Sequence, residues 1–274
     1  ANTASGDFQF IGAGECNYNN STLSFIGAGE CNTIETAACG NIIVGGRENC
    51  VGYIRSVVVG GRKNCVYGSE AFIGAGEGNN IGSATGPAAS NWSAIVGGIY
   101  NEISGSSTGT QGNFIGAGTY NQVSGSYSGI IGGRLNKVKH NCSFIVGSHI
   151  TSTANCTTFM NNACIEGTTT TQTLVETSAR RFKECILPLQ DQIENIKKLE
   201  PVEFQWKKEK TKDIGFIAED VLKIYPDLIA YEEDGEINGI QYSKLTTVLV
   251  KALQQQQEQI DELKNEIFIL KSNS

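Results

Sequence analysis

"FIGAGECN" stands at residues 10–17 and again, unchanged, at 25–32. Variants follow at 42–49 (IIVGGREN), 57–64 (VVVGGRKN), 72–79 (FIGAGEGN), 94–101 (AIVGGIYN), 114–121 (FIGAGTYN) and 129–136 (GIIGGRLN). Their closing asparagines, Asn17, Asn32, Asn49, Asn64, Asn79, Asn101, Asn121 and Asn136, are spaced by 15, 17, 15, 15, 22, 20 and 15 residues. A glycine lies three positions before each. A β-branched aliphatic lies two positions after most of them: Ile34, Val51, Val66, Ile81, Ile103, Val123 and Val138. A short fixed period with small insertions marks a solenoid, with the insertions at 82–93 and 104–112 as outward loops. Fifteen residues leave room for two short strands and two turns per coil, and β-branched residues favour strands over helices. The glycines permit tight corners with positive φ. A flexible linker of equal glycine content would lack aliphatics in register.

Stacked coils bring equivalent residues about 4.8 Å apart, so columns can be read from the sequence. Glu30 falls next to Arg47, Glu48 next to Lys63, and Arg62 next to Glu77. The asparagines form a column suited to an amide ladder. Cys16 stacks on Cys31 and Cys50 on Cys65, but parallel side chains orient poorly for a disulfide, and free thiols acting as small apolar residues are expected. Asn2 lies 15 residues before Asn17, so the chain is expected to begin within a repeat of a longer fibre.

The bulk properties exclude several classes. A net charge of −7 disfavours a nucleic-acid partner. No apolar run approaches the length of a membrane-spanning helix. The nine cysteines include no C-x-x-C pair and no histidine at ligand spacing, so neither a metal site nor a cofactor is expected. Residues 1–150 resemble the left-handed parallel β-roll heads of trimeric autotransporter adhesins and the related repeats of phage tail fibres. That resemblance implies three chains side by side, in keeping with the small core one thin coil can bury.

The composition changes near VETSARRFKE, residues 175–184. Residues 151–177 are Thr-rich and read as a neck. Beyond them Leu189, Ile193, Ile196 and Leu199 make a helical stripe that Pro201 ends. VEFQWK alternates as a strand does, IAEDVLKIYP reads as a short helix stopped by Pro226, and LIAYEEDGEINGIQY reads as a hairpin with Asp-Gly and Asn-Gly turn signals. In the last stretch Leu249, Leu253, Gln256, Ile260, Leu263, Ile267 and Leu270 step by 4 and 3 alternately, a coiled-coil seam of about three heptads. Ile alternating with Leu favours two strands; the β-roll resemblance implies three.

Residues 178–274 resemble the C-terminal intramolecular chaperone domain of phage tailspikes and tail fibres, the endosialidase type. The motifs are a Ser-x-x-Arg-x-Lys start, LEPVEFQW, IGFIAEDV before a proline, DGEINGIQYSKL and a terminal coiled coil, all in order. The resemblance implies a small α+β domain that trimerises, sets the upstream β-structure in register and then cuts itself off. It makes Ser178 and Lys183 the reactive pair, Thr177–Ser178 the scissile bond and Arg181 the supporting arginine. Many family members carry aspartate after the serine where this chain has Ala179, a departure that bears on the cleavage rate. The residues themselves suit a single-turnover reaction: serine needs a base, and Arg180 and Arg181 disfavour a third positive charge on Lys183. Five residues along a helix would leave the pair about 140° apart, and along a strand on opposite faces. The segment must therefore bend, or a neighbouring chain must supply the lysine.

The expected function is a trimeric viral fibre or tailspike carried on the virion, attaching to a host-cell receptor or glycan, with its folding chaperone attached. The alternatives are a bacterial surface adhesin, which would end in a membrane barrel, and a glycan-degrading tailspike, which needs two carboxylates about 5–9 Å apart in a groove.

Overall fold

The computed structural model describes residues 1–35, 39–83, 90–104, 110–165, 169–232 and 234–272. The chain forms two compact units, Ala1–Thr170 and Thr171–Ser274.

The first unit is a parallel β-solenoid. Each coil gives one short strand to each of two sheets, one of ten strands and one of nine. The ten-stranded sheet runs from Phe10–Ile11 to Thr158–Met160, the nine-stranded sheet from Thr3–Ala4 to Lys137–Val138. Its last rung thus lies inside the Thr-rich stretch read as a neck. One residue of each strand points inward. The ten-stranded sheet contributes an inward column of Ile and Val that includes Ile26, Ile43, Val58 and Ile73; the nine-stranded sheet contributes Ile34, Val51, Val66 and Ile81 and their successors, all fully buried. These last are the aliphatics placed two residues after most of the asparagines, Asn19 taking that place after Asn17.

The asparagine column is a continuous ladder. The Asn79 amide nitrogen donates to Asn64 Oδ1 (3.1 Å), to the Ala75 carbonyl (3.1 Å) and to the Gly98 carbonyl of the following coil (2.9 Å). Its Oδ1 accepts the Asn101 backbone N–H and side-chain amide, each at 3.1 Å. The glycine three positions earlier is required by this packing. Gly76 has φ +109°, and a Cβ there would sit 2.0 Å from the Gly98 carbonyl oxygen. Asn79→Ala would leave the Asn101 backbone N–H buried without its partner and would take one donor each from Asn64 Oδ1, the Ala75 carbonyl and the Gly98 carbonyl. At about 1–3 kcal/mol for a buried group left unsatisfied, the variant should lose at least ~2 kcal/mol, read as a lower denaturant midpoint; an unchanged midpoint would contradict the ladder's structural role.

Positive φ is not confined to glycine. The residue just before each asparagine also sits in the left-handed region, as at Cys31 (φ 55°), Lys63 (φ 58°) and Tyr120 (φ 55°). Side chains at this corner project outward, where they stack: the Tyr100 and Tyr120 rings are 5.3 Å apart. The same placement corrects the expectation for the cysteines. All nine are free thiols, yet Cys16, Cys142 and Cys156 are exposed at corners rather than packed as apolar residues. Cys50 and Cys65 are register partners in the nine-stranded sheet and are half-buried. The closeness of the two thiols, reinforced by burial, pushes Cys50 up, and it holds Cys65 down against the opposing effect of burial. The stacked ion pairs read from the sequence are in place, with Arg47–Glu30 at 3.6 Å, Lys63–Glu48 at 3.5 Å and Arg62 against Glu77.

A second polar column was not foreseen. Ser24, Asn41, Ser56, Asn113 and Ser128 are buried, and their side-chain oxygens accept the backbone N–H one coil on, as in Ser56 N to Asn41 Oδ1 (2.9 Å) and Ser128 N to Asn113 Oδ1 (3.0 Å). The insertions expected as loops at 82–93 and 104–112 lie partly outside the described residues, at 84–89 and 105–109. Their described ends, Ser90–Asn91 and Thr110–Gln111, pair as a separate two-stranded parallel sheet, so part of each insertion stacks as an added rung.

In the second unit, α1 spans only Ile193–Ile196, not the longer stripe from Leu189. The chain is pinned just before it: the Gln192 N–H donates to Gln255 Oε1 (2.8 Å), and Gln192 Oε1 accepts the Tyr225 hydroxyl (2.9 Å). The helix therefore starts there, and Leu189 is left exposed. Val202–Gln205 pairs antiparallel with Lys212–Gly215, α2 spans Ala218–Leu222, and Ile229–Tyr231 forms a hairpin with Ile237–Ile240. The Asp-Gly signal makes the turn, with Gly235 at φ +90°. The Asn-Gly pair at 238–239 instead lies inside the second strand, where Gly239 pairs with Ala230 and Asn238 falls at a bulge between that pair and Ile237–Tyr231.

Helix α3, Tyr242–Ser272, has two apolar faces. Leu245 and Val248 pack on Val221, Leu228 and Ile229 of the same unit. The heptad positions face elsewhere: Leu249, Leu253, Gln256, Ile260, Leu263, Ile267 and Leu270 are all exposed on this single chain. Among the described residues no helix is long and apolar enough to cross a membrane.

Candidate functional site

Every residue from 169 to 191 is exposed, so the segment holds its shape by local bonds alone. Ala179 is extended (φ −66°, ψ 142°), Arg180–Phe182 form one 3₁₀ turn, and Lys183 is extended again (φ −129°, ψ 141°). Two backbone bonds close the turn, Phe182 N–H to the Ala179 carbonyl and Lys183 N–H to the Arg180 carbonyl, each 3.0 Å. A 3₁₀ turn has three residues per turn rather than 3.6, and it is entered and left by extended residues. The result is the bend that a five-residue spacing demands. Lys183 Nζ lies 2.8 Å from Ser178 Oγ within one chain. Arg181 is placed differently from the pair: its guanidinium lies over the Phe182 ring, 4.7 Å from the centroid, a cation–π contact that steadies the turn.

The structure thus brings Ser178 and Lys183 together. The heptad residues lie on α3, outside this turn. Residues 178–230 match a family model described as a chaperone of endosialidase. Ser178 is the first residue matched, and the match ends before the second hairpin strand and α3. A comparison with curated proteins gave no match.

The residue after the serine has a definable part in this geometry. Ala179 is the N-cap of the turn and offers no side-chain bond to it. An aspartate there would accept one of the free turn N–H groups. Ala179→Asp is therefore expected to hold the serine and lysine in contact more of the time. Self-cleavage carried out by this pair would then run a few-fold faster in the variant, the size that ~1 kcal/mol of capping gives; a time course on gels or by mass spectrometry would read it, and a slower reaction would contradict the capping role.

Among the described residues, four of the eight carboxylates of the solenoid, Glu30, Glu48, Glu70 and Glu77, are engaged in ion pairs. Glu48 is shared between Arg47 (2.9 Å) and Lys63, and Glu70 pairs with Arg55 (2.8 Å). A glycosidase needs one such group protonated and one free, so these side chains give that reading no support.

Proposed function

We propose that this chain is a subunit of a trimeric viral fibre or tailspike whose C-terminal unit drives trimerisation and folding, and then cleaves itself off before Ser178. The observation that carries the reading is the 2.8 Å Ser178–Lys183 contact at the first residue of the matched chaperone segment. The exposed heptad face of α3 supports association of copies, since seven positions at coiled-coil spacing are left for other chains to cover. Left-handed winding and placement on a virion come from the resemblance of the repeats to fibre heads.

The reaction follows from the atoms. Lys183, as the free amine, takes the Ser178 Oγ proton. Oγ bonds to the Thr177 carbonyl carbon, the C–N bond breaks, and Ser178 nitrogen receives the proton. The ester so formed is opened by water, leaving a Thr177 carboxylate and a Ser178 hydroxyl. In a single chain the pair is open to water. Neighbouring copies would exclude water and strengthen the electrostatics of the site, so cleavage should follow assembly. Light scattering and intact-mass analysis of the same sample test the reading: a trimer containing fragments 1–177 and 178–274 is expected, and a stable monomer would overturn it.

The insertions at 82–93 and 104–112 are the proposed contact with a host-cell receptor or glycan. Removing 84–89 and 105–109 should abolish host-cell adsorption; undiminished adsorption would rule them out.

A further inference from the structure

The outer face of the ten-stranded sheet carries two adjacent columns, one from the residue before each inward aliphatic and one from the residue after it. From Phe10 to Val146 neither column contains a polar or charged side chain. Residue size is compensated across the columns. On four of the five Phe rungs the second residue is Gly, as in Phe25/Gly27, Phe72/Gly74 and Phe114/Gly116, the last rung, Phe144/Val146, being the exception; where the first is smaller the second is Val or Ile, as in Val57/Val59, Ala94/Val96 and Gly129/Ile131. The phenyl rings lean over their glycines: a Cβ on Gly27 would lie 3.2 Å from the Phe25 ring. Phe10 and Phe25 stack with centroids 5.4 Å apart and planes 7° apart. On most rungs a large first side chain is thus offset by a glycine beside it, and the stripe is apolar along its whole length.

None of this serves the chain's own core, which lies on the other side of the sheet. Phe25 is 38 % exposed, Val59 42 % and Ile131 55 %. With about 150–200 Å² for each full side chain, the stripe leaves on the order of 900 Å² of apolar surface in water. That exceeds the ~300–600 Å² patches usual on monomers and matches the ~800 Å² per partner of a stable interface. The outward column of the nine-stranded sheet is different, with Thr33, Asn80, Glu102, Gln122 and Lys137.

We propose that this stripe is the surface along which copies of this chain pack, rung against rung; the proposal rests on the trimeric reading above. A partner must bury an apolar face about 40 Å long whose side chains recur every ~4.8 Å. A second copy has that pitch by construction. Around a three-fold axis the same rung of each chain comes to the same height, so aromatic layers meet aromatic layers and Val layers meet Val layers. The absence of hydrogen-bonding side chains suits a dry interface.

Hydroxyl-radical footprinting of the full-length protein tests this, with light scattering on the same sample. The expected result is a trimer in which Phe25, Phe72 and Phe114 are several-fold less oxidised than Tyr120, which faces away from the stripe. A Val59→Glu, Val96→Glu variant should lose that protection while its circular dichroism is unchanged; Thr33→Glu, on the opposite sheet, should keep it. A trimer whose stripe phenylalanines oxidise as fast as Tyr120, or a Val59→Glu, Val96→Glu trimer that keeps its protection, would overturn the interface and leave the trimeric reading standing. A monomer would overturn both.

Discussion

Ser178→Ala and Lys183→Ala chains are expected to assemble and then stay whole, whereas the parent chain is expected to separate into 1–177 and 178–274. Both side chains are exposed and neither touches the packed core of the second unit, so truncating them removes no buried contact. The loss should be at least about a thousandfold in cleavage rate, because a hydroxyl without its base, or a base without its nucleophile, leaves only the uncatalysed reaction. Lys183→Arg separates two roles for the lysine. Arginine keeps the charge and reach but stays protonated, so it should fail as a base while leaving the turn formed. Cleavage persisting at the parent rate in Ser178→Ala would mean an outside protease cuts an exposed segment. Full cleavage in Lys183→Arg would mean the lysine only positions the serine.

The repeat was legible because its columns are obligatory. The asparagine of Asn79 recurs from Asn17 to Asn136 and the glycine of Gly76 at the same corner, because the amide bonds and the close carbonyl contact demand them, and the inward Ile and Val must fill one narrow space. The second polar column was nearly as regular, with Ser24, Asn41, Ser56, Asn113 and Ser128 each directly before an outward residue and Ala71 interrupting it. Serine and asparagine share that task, so no single letter repeats and the pattern passes unnoticed. Left-handed corners at Cys31, Lys63 and Tyr120 were hidden for a related reason: the neighbouring coils hold them, and glycine is needed only where a Cβ would collide. At the candidate site the spacing of Ser178 and Lys183 required a bend without saying which. The answer lay in the backbone of Arg180–Phe182, where a 3₁₀ turn is set by two main-chain bonds and not by residue type. The early end of the stripe at α1 was set from far away in sequence, by Gln255 and Tyr225 holding Gln192.

Removing residues 178–274 before folding should leave 1–177 aggregated or in mixed register, with the yield of soluble trimer down at least about tenfold. The repeat is degenerate. Slide one copy along its neighbour by one coil and inward Ile and Val still face their own core, while most rungs of the apolar stripe still meet apolar rungs. The Phe, Val and Ala rungs do differ, but a slip trades one apolar contact for another. A register shift is strongly opposed only when it moves buried residues to solvent, and here it does so only at the two ends. Something outside the repeat must hold the chains level before the coils wind. The second unit can do this, because its motifs occur once. Val221, Leu228, Ile229, Leu245 and Val248 form a small core of their own, and the heptad face of α3 carries a polar Gln256 among apolar positions. A lone polar residue in a seam specifies alignment at some loss of stability. The decisive comparison is refolding of 1–177 against full-length Ser178→Ala, which keeps its chaperone attached throughout. Equal yields of soluble, uniform trimer from both would show that the solenoid finds its register unaided, and the folding role of the C-terminal unit would then have to be given up.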